Sequence, residues 1–357
     1  MTAQGSVLAT ADTVAAEALV RVGIVGVGRI GRMHADLLTR VVPRATVTRI
    51  FDAHAPAAEA VAAELGVPAA RDADELLAAE DVDAVAICSS TPTHASLVEA
   101  AAAAGRAIFC EKPVSLALEE VDRALLAVER AGVPFQIGFN RRFDPGHQSV
   151  RDAVRSGAIG EPHLVRISSR DPGPPPLDYV RASGGIFLDM TIHDFDMARY
   201  VTGSEVVEVF ARGTLRIEPS FAEAGDVDTA VVTLAHADGC LTVIDNSRQA
   251  VYGFDQRVEV LGSMGMAASE NPLAHAGVVR TAEGARASRL PTFFLDRYVP
   301  SYVRGWEAFV QAVRDGAAPP VGAEDARAPL VIGLAARRSL REGRPVRVEE
   351  VDGRAPA

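Results

Sequence analysis

The first third of the chain alternates short apolar runs with Ala-rich stretches of helical period. Arg21–Val25 reads as a strand, followed by the turn Gly26–Gly31 and a helix to about Thr39. Thr46–Phe51 is a second strand ending at Asp52, and Pro56–Glu64 is helical. Ala84–Cys88 reads as a buried strand, Thr93–Ala104 as a helix closed by Gly105, and Ala107–Cys110 as another strand. Ser115–Ala131 is a helix closed by Gly132, and Phe135–Phe139 a further strand. Strand and helix alternating at this spacing predict a parallel sheet covered on both faces.

The texture changes after about Phe143. His163–Ser169 is strand-like, and the Pro-rich stretch Asp171–Leu177 cannot be a central strand. Gly184–Val201 reads as one helix. Val206–Leu215, Thr229–His236, Cys240–Arg248 and Gln256–Gly262 read as long strands with polar alternation, which predicts an antiparallel or mixed open sheet. Tyr302–Arg314 and Asp325–Arg341 are closing helices. The expected fold class is α/β: a dinucleotide-binding unit over 20–142, then an α+β unit over 143–357 for substrate binding and oligomerisation. Residues 1–19 are expected to be a loose tail.

Bulk numbers narrow the function. With 357 residues the chain can bury two substantial cores. A net charge of −11 argues against a nucleic-acid partner. No run of 18 apolar residues marks a membrane span, and no basic, apolar leader opens the chain. Cys88, Cys110 and Cys240 are far apart, form no CxxC and suit a reducing cytoplasm.

Gly26-Val27-Gly28-Arg29-Ile30-Gly31 is GxGxxG in the context its mechanism requires: a strand before, a helix after, an acid about 20 residues on. Gly26 permits the turn, Gly28 lets a pyrophosphate approach, and Gly31 lets helix and strand pack closely. The helix N-terminus then faces the phosphates. Asp52 is placed to hold the ribose hydroxyls and to repel a 2′-phosphate, which favours NAD over NADP. Arg29 is a candidate phosphate contact.

Two further features carry chemistry. Cys110-Glu111-Lys112-Pro113 follows a strand, where the ligand crevice of an open α/β sheet lies, and a lysine there can stabilise a developing oxyanion. In GGIFLDMTIHDFD, Asp189 and His193 are four positions apart, so a regular helix would set them on one face. A histidine beside a carboxylate equips a general base. No cysteine joins His193 at ligand spacing, so no metal is expected. Asp171, Asp178, Tyr179, Asn246, Tyr252 and Asp255 are polar side chains of the second unit available to hydrogen-bond a ligand, Asp178 and Tyr252 being preferred.

The chain resembles the Gfo/Idh/MocA family of NAD(P)-dependent oxidoreductases from about Arg21 to about Arg344. GVGRIGRMHADLL, the stretch from SSTPTHASLVEA to FCEKPVSL, QIGFNRRFDPG and DQRVEVLGSMGM carry the likeness. The Pro-rich lead and GGIFLDMTIHDFDMARY are similar to the bacterial inositol 2-dehydrogenases within it. The resemblance implies that Lys112 is the catalytic lysine, with Glu111 and a cis Pro113 beside it. It implies that His193 accepts the proton and that Asp189 orients it or the substrate. Thr91, Pro92 and His94 would line the nicotinamide half of the cofactor, and Arg141 or Arg142 would face the substrate. The implied reaction is NAD-dependent oxidation of a cyclitol, myo-inositol to its 2-keto form, by a cytoplasmic homo-oligomer, a tetramer or a dimer. The alternatives are a dehydrogenase of another cyclitol or a pyranose sugar, and a non-catalytic NAD-sensing regulator.

Overall fold

The computed structural model describes residues 19–354, so the expected tail lies, but for Leu19, outside the described residues. Five short strands form the first sheet: β1 Val20–Val25, β2 Ala45–Phe51, β3 Ala84–Ile87, β4 Ala107–Cys110 and β5 Phe135–Ile137. All neighbours are parallel, in the order β2-β1-β3-β4-β5. β3 and β4 are buried at every position, as expected of strands covered on both faces. Helices α1 (Arg29–Arg40), α2 (Ala55–Leu65), α3 (Ala73–Ala78), α4 (His94–Ala103) and α5 (Leu118–Ala131) connect the strands. Val98, Ala101, Val121 and Ala124 fill one face of the sheet, and Met33, Leu37, Leu38 and Val61 the other. The strand order reverses between β1 and β3, which opens a crevice beyond their carboxyl ends.

Helix α6 (Pro145–Arg155) leads into the second sheet: β6 Pro162–Arg170, β7 Val206–Thr214, β8 Thr229–His236, β9 Leu241–Ser247, β10 Asp255–Gly262 and β11 Gly265–Ser269. A solvent-facing ribbon, β12 Val278–Thr281 and β13 Gly284–Ala287, follows, and β14 (Val346–Arg347) joins the sheet late. The seven-stranded order is β11-β10-β6-β9-β8-β7-β14, with β6 and β9 parallel and every other pair antiparallel. Two helices lie between β6 and β7: α7 (Leu177–Ser183) and α8 (Ile192–Thr202). Three close the chain: α9 (Phe294–Asp315), α10 (Ala323–Glu342) and the short α11 (Glu349–Asp352). Phe195 and Ala198 of α8 and Ile332, Ala335 and Ala336 of α10 pack with Val165, Ile167, Val209 and Val232 of the sheet.

The molecule thus pairs a Rossmann-like parallel sheet with a mostly antiparallel one. Three features depart from the sequence expectations. The stretch 143–357 serves both cores, because Tyr302, Trp306, Phe309 and Val310 of α9 pack on β1 and β4 of the first sheet. Helix α6 replaces an unassigned stretch; Asp144 caps it, accepting from the N–H groups of Gly146 and His147 at 2.9 and 3.1 Å. The helix expected over 184–201 is broken. Ile186–Met190 is a π turn, closed by the Thr191 N–H donating to the Ile186 carbonyl at 2.9 Å, and α8 starts only at Ile192.

Candidate active site

The glycine turn fits a dinucleotide. Gly26 has φ +92°, and a Cβ there would lie 2.5 Å from the Ser89 nitrogen in the loop after β3. A Cβ at Gly31 would lie 1.9 Å from the Gly26 carbonyl oxygen. Gly28 meets nothing within 4 Å, which leaves a free approach to the backbone. Helix α1 begins with Gly28 as its N-cap, no side-chain cap and no acid in its first turn, so its N-terminal N–H groups are available to an anion. The Asp52 carboxylate accepts from the Val27 N–H at 2.7 Å and the His54 N–H at 2.8 Å, which fixes it beside the turn at the end of β2. Arg29 is exposed, its guanidinium 6.0 Å from the Phe293 ring, and Ile30 is half-buried.

Beyond β4, the Lys112–Pro113 bond is cis. The buried Trp306 indole donates to His34 Nδ1 at 2.8 Å, so His34 Nε2–H donates to Glu111 Oε1 at 2.8 Å. That chain orients Glu111, the neighbour of Lys112. Thr91 and Pro92 form a single 3₁₀ turn beside the crevice. His94 lies beneath it: 2 % exposed, its Nδ1 is 2.9 Å from the Pro113 carbonyl and its Nε2 2.9 Å from that of Ser89. It therefore ties the loop after β3 to the loop after β4.

Lys112 reaches across to the π turn. Its Nζ donates to the Asp189 carbonyl oxygen at 2.8 Å and lies 3.6 Å from Asp189 Oδ1. The carboxylate is also held from two other directions. The Tyr179 hydroxyl donates to Oδ1 at 2.8 Å, and Arg248 Nη1 donates to Oδ2 at 3.0 Å. Burial alone would raise the Asp189 carboxyl, but Lys112 and Arg248 outweigh it and hold it below the ordinary carboxylate value. Burial raises the nearby Asp171 carboxyl, which lies 3.5 Å from Arg248 Nη1.

His193 does not pair with Asp189. Asp189 lies in the π turn and His193 in the first turn of α8, and among the described residues no hydrogen bond or ion pair joins the two side chains. The His193 ring instead meets Phe139 edge-to-face at 5.7 Å, and its Nδ1 is buried without a hydrogen-bond partner among the described residues. Burial, then the charges of Lys112 and Arg141, push its pKa well below 6.5, so the imidazole is neutral at neutral pH.

The two neighbouring arginines separate. Arg141 Nη1 donates to Asp194 Oδ1 at 2.7 Å and to Ser169 Oγ at 3.2 Å, and Asn246 donates to the other Asp194 oxygen at 2.7 Å. Burial pushes the Asp194 carboxyl up to about 6. Arg142 spends its donors on Asp196 and Asp325 at 2.6–3.1 Å and lies over the Tyr200 ring, away from the Lys112 group. Asp178 points to solvent, its side chain 95 % exposed and paired with Arg181. The Tyr252 hydroxyl donates to Asp255 at 2.6 Å and accepts from Arg170 at 2.8 Å, so it too stands outside the Lys112–Asp189 group. Sequence reading passed over Arg248 and His34. Their motifs carry no spacing that marks them, since Arg248 lies 59 residues from its partner Asp189 and His34 lies 77 from Glu111.

Among the described residues no group of His, Cys, Asp and Glu is arranged to hold a metal ion, and no helix is long and apolar enough to cross a membrane. The three cysteines are buried free thiols.

Comparison with known proteins adds two family matches and a set of relatives. Residues 20–139 match an oxidoreductase family with an NAD-binding Rossmann fold, and residues 147–268 match the GFO/IDH/MocA C-terminal domain. The chain is 49% identical to a myo-inositol 2-dehydrogenase of Thermotoga maritima, over 93% of this chain and 100% of that one. It is 44% identical to an inositol 2-dehydrogenase of Rhizobium meliloti, over 92% and 99% of the two chains. A solved scyllo-inositol dehydrogenase of Lactobacillus casei, with bound NAD(H) and scyllo-inositol, superposes with a TM-score of 0.87 at 29% identity, covering 93% of this chain and 99% of that one.

Proposed function

The chain belongs to the Gfo/Idh/MocA oxidoreductase family, and from that premise we propose that it is an NAD-dependent cyclitol dehydrogenase. Its substrate on this reading is myo-inositol, oxidised at one secondary alcohol to the 2-keto product. The observation that carries the proposal is the junction of Lys112 from the first sheet with Asp189 from the π turn, near an uncharged His193.

The cofactor site supports NAD as the acceptor. Gly26, Gly28, Arg29, Ile30 and Gly31 would cradle the phosphates, and Asp52, held beside the turn just after β2, would hold the ribose. Its negative charge disfavours the 2′-phosphate of NADP. When bound, the nicotinamide supplies a hydride acceptor. Thr91, Pro92, Glu111 and the Lys112–Pro113 turn frame that end of the crevice.

The protein's own groups handle the proton and the charge. A secondary alcohol must lose a proton from oxygen as hydride leaves carbon. His193, its imidazole neutral, is the base, taking the proton directly or through Lys112. Lys112 stabilises charge growing on the substrate oxygen. Asp189 keeps the ammonium in place, from its carbonyl and its carboxylate. Of the two arginines, Arg141, whose charge acts on His193, is the one on the substrate side, while Arg142 pairs with Asp196 and Asp325. Asp178 and Tyr252 would reach a polyol only after leaving Arg181 and Asp255.

We further propose a cytoplasmic homo-oligomer, tetramer or dimer. Val231, Leu241, Leu261 and Met266 of the second sheet are exposed, an apolar surface that a second copy would cover.

The test is the purified protein with NAD and with NADP against myo-inositol, scyllo-inositol and pyranose sugars, read by NADH or NADPH absorbance. Turnover with myo-inositol and a preference for NAD is the expected result. Turnover with a sugar alone would move the substrate assignment. NAD binding without turnover on any polyol would make the protein a sensor.

A further inference from the structure

Arg248 follows β9 and is 2 % exposed. Its backbone N–H donates to the Asp228 carbonyl at 2.8 Å, which anchors the chain at the root of the side chain. Its guanidinium is poorly satisfied for so buried a cation. Nη1 contacts Asp189 at 3.0 Å and Asp171 at 3.5 Å, while Nε and Nη2 are buried without hydrogen-bond partners among the described residues. A buried charge with unspent donors is a poor device for stability. What the position achieves is local: a second cation on Asp189, at the carboxylate oxygen opposite the one nearest Lys112.

We propose that Arg248 is a positioning residue for the reaction, holding the Asp189 carboxylate in the orientation and ionised state that Lys112 requires. The inference rests on the dehydrogenase reading above and deepens it. Asp189 is faced by Lys112, Arg248 and Tyr179, with Asp171 adjacent; Arg248 is faced by Asp171 and Asp189, with the charge of Asp226 nearby. His193 feels Lys112 and Arg141 instead. Without Arg248, burial and Asp171 both favour the protonated Asp189, and only Lys112 and the Tyr179 hydrogen bond still oppose them. Protonated Asp189 no longer holds the ammonium electrostatically, so activity that needs the carboxylate is lost at a higher pH than in the wild type.

The experiment compares wild type, Arg248→Gln and Arg248→Lys as pH profiles of kcat and KM with myo-inositol and NAD, alongside NAD affinity by NADH fluorescence. Arg248→Gln is expected to lower kcat by about 10–100-fold, as misplacement of a supporting group does. It should also raise the acid limb by roughly one pH unit or more, as loss of an adjacent opposite charge does. NAD affinity stays unchanged, and Arg248→Lys, which keeps the charge but not the fork, restores part of both effects. An unmoved acid limb with wild-type kcat overturns the proposal. So do two variants equally damaged and unable to bind NAD, since that is the mark of a structural role. Wild-type protein that turns over no polyol fails the dehydrogenase reading, and this inference with it; wild-type turnover with an indifferent Arg248→Gln fails the inference alone.

Discussion

The cofactor side of the site and the substrate side are built by different means. The cofactor side is backbone: a glycine turn at β1, a helix N-terminus, and a carboxylate that hydrogen-bonds two main-chain N–H groups. The substrate side is a knot of side chains. Lys112, Tyr179, Asp189 and Arg248 meet there from four separate elements, and their charges set one another's state. Damage to the first is therefore expected to appear as lost shape and lost cofactor. Damage to the second is expected to appear as lost turnover and altered pH response, with the fold intact.

The largest expected effect tests the substrate side. His193→Ala should lower kcat by roughly 10²–10⁴-fold at neutral pH, the usual worth of a general base. NAD affinity should stay near the wild-type value, because no bond links His193 to the glycine turn. Steady-state turnover beside an NADH-binding titration reads both. Because the wild-type imidazole is held well below 6.5, no fall in rate from its protonation is expected as pH drops from 8 to 6.5. Wild-type turnover in the variant would remove His193 from the mechanism.

A pair of substitutions sharpens the cofactor side. Gly26→Ala forces a Cβ against the Ser89 backbone at a φ of +92°, which should cost on the order of 1–3 kcal/mol and weaken NAD binding together. Gly28→Ala meets nothing within 4 Å, so its melting temperature should not change. The added methyl intrudes on the pyrophosphate approach, and NAD affinity should fall about tenfold or more, ~1.4 kcal/mol. Equal melting losses in both variants would mean that the turn is a structural corner only.

The same division explains what could be read in the sequence. GxGxxG, Asp52 and the Lys-Pro pair lie at short, fixed distances from their strands, so a linear pattern suffices to place them. The π turn is invisible to such a pattern: the apolar period of GGIFLDMTIHDF fits a regular helix, yet the chain winds as a π turn through Asp189 and restarts as α8 just before His193. Arg248 reaches Asp189 only through strand order in the second sheet, which no local signal encodes. Helix α9 has an apolar stripe, but nothing along the chain says that Trp306 returns to the first sheet to orient His34. By contrast, α6 had a legible start in Asp144-Pro145, an N-cap followed by proline at the first helical position.

Tyr179→Phe asks how much of the knot one neutral member supports. The hydroxyl donates to Asp189 Oδ1 and also helps to keep that carboxyl low. A hydrogen bond to a charged group contributes about 1.5–3 kcal/mol, part of which Lys112 and Arg248 will retain. The expected loss is therefore about tenfold in kcat at most, with unchanged NAD affinity and a small upward move of the acid limb. A fall as large as that of His193→Ala would give Tyr179 a direct part in the chemistry.

The remaining effect concerns stability rather than turnover, and it belongs to the second half of the molecule, where the buried titratable groups collect. Burial, with Arg297 and Arg141 nearby, lowers the His147 pKa to about 3 against an ordinary 6.5. The unfolded chain therefore binds a proton between those values that the native state refuses. Stability from this site is fully present above pH 6.5 and declines as pH falls towards 3, by up to ~1.4 kcal/mol per pH unit. His147→Gln removes the titration, so its urea midpoint should change less between pH 7 and pH 4.5 than that of the wild type. Parallel curves for the two proteins would mean that the wild-type ring takes up its proton without unfolding. The acid sensitivity would then lie with the paired carboxylates, in both halves alike.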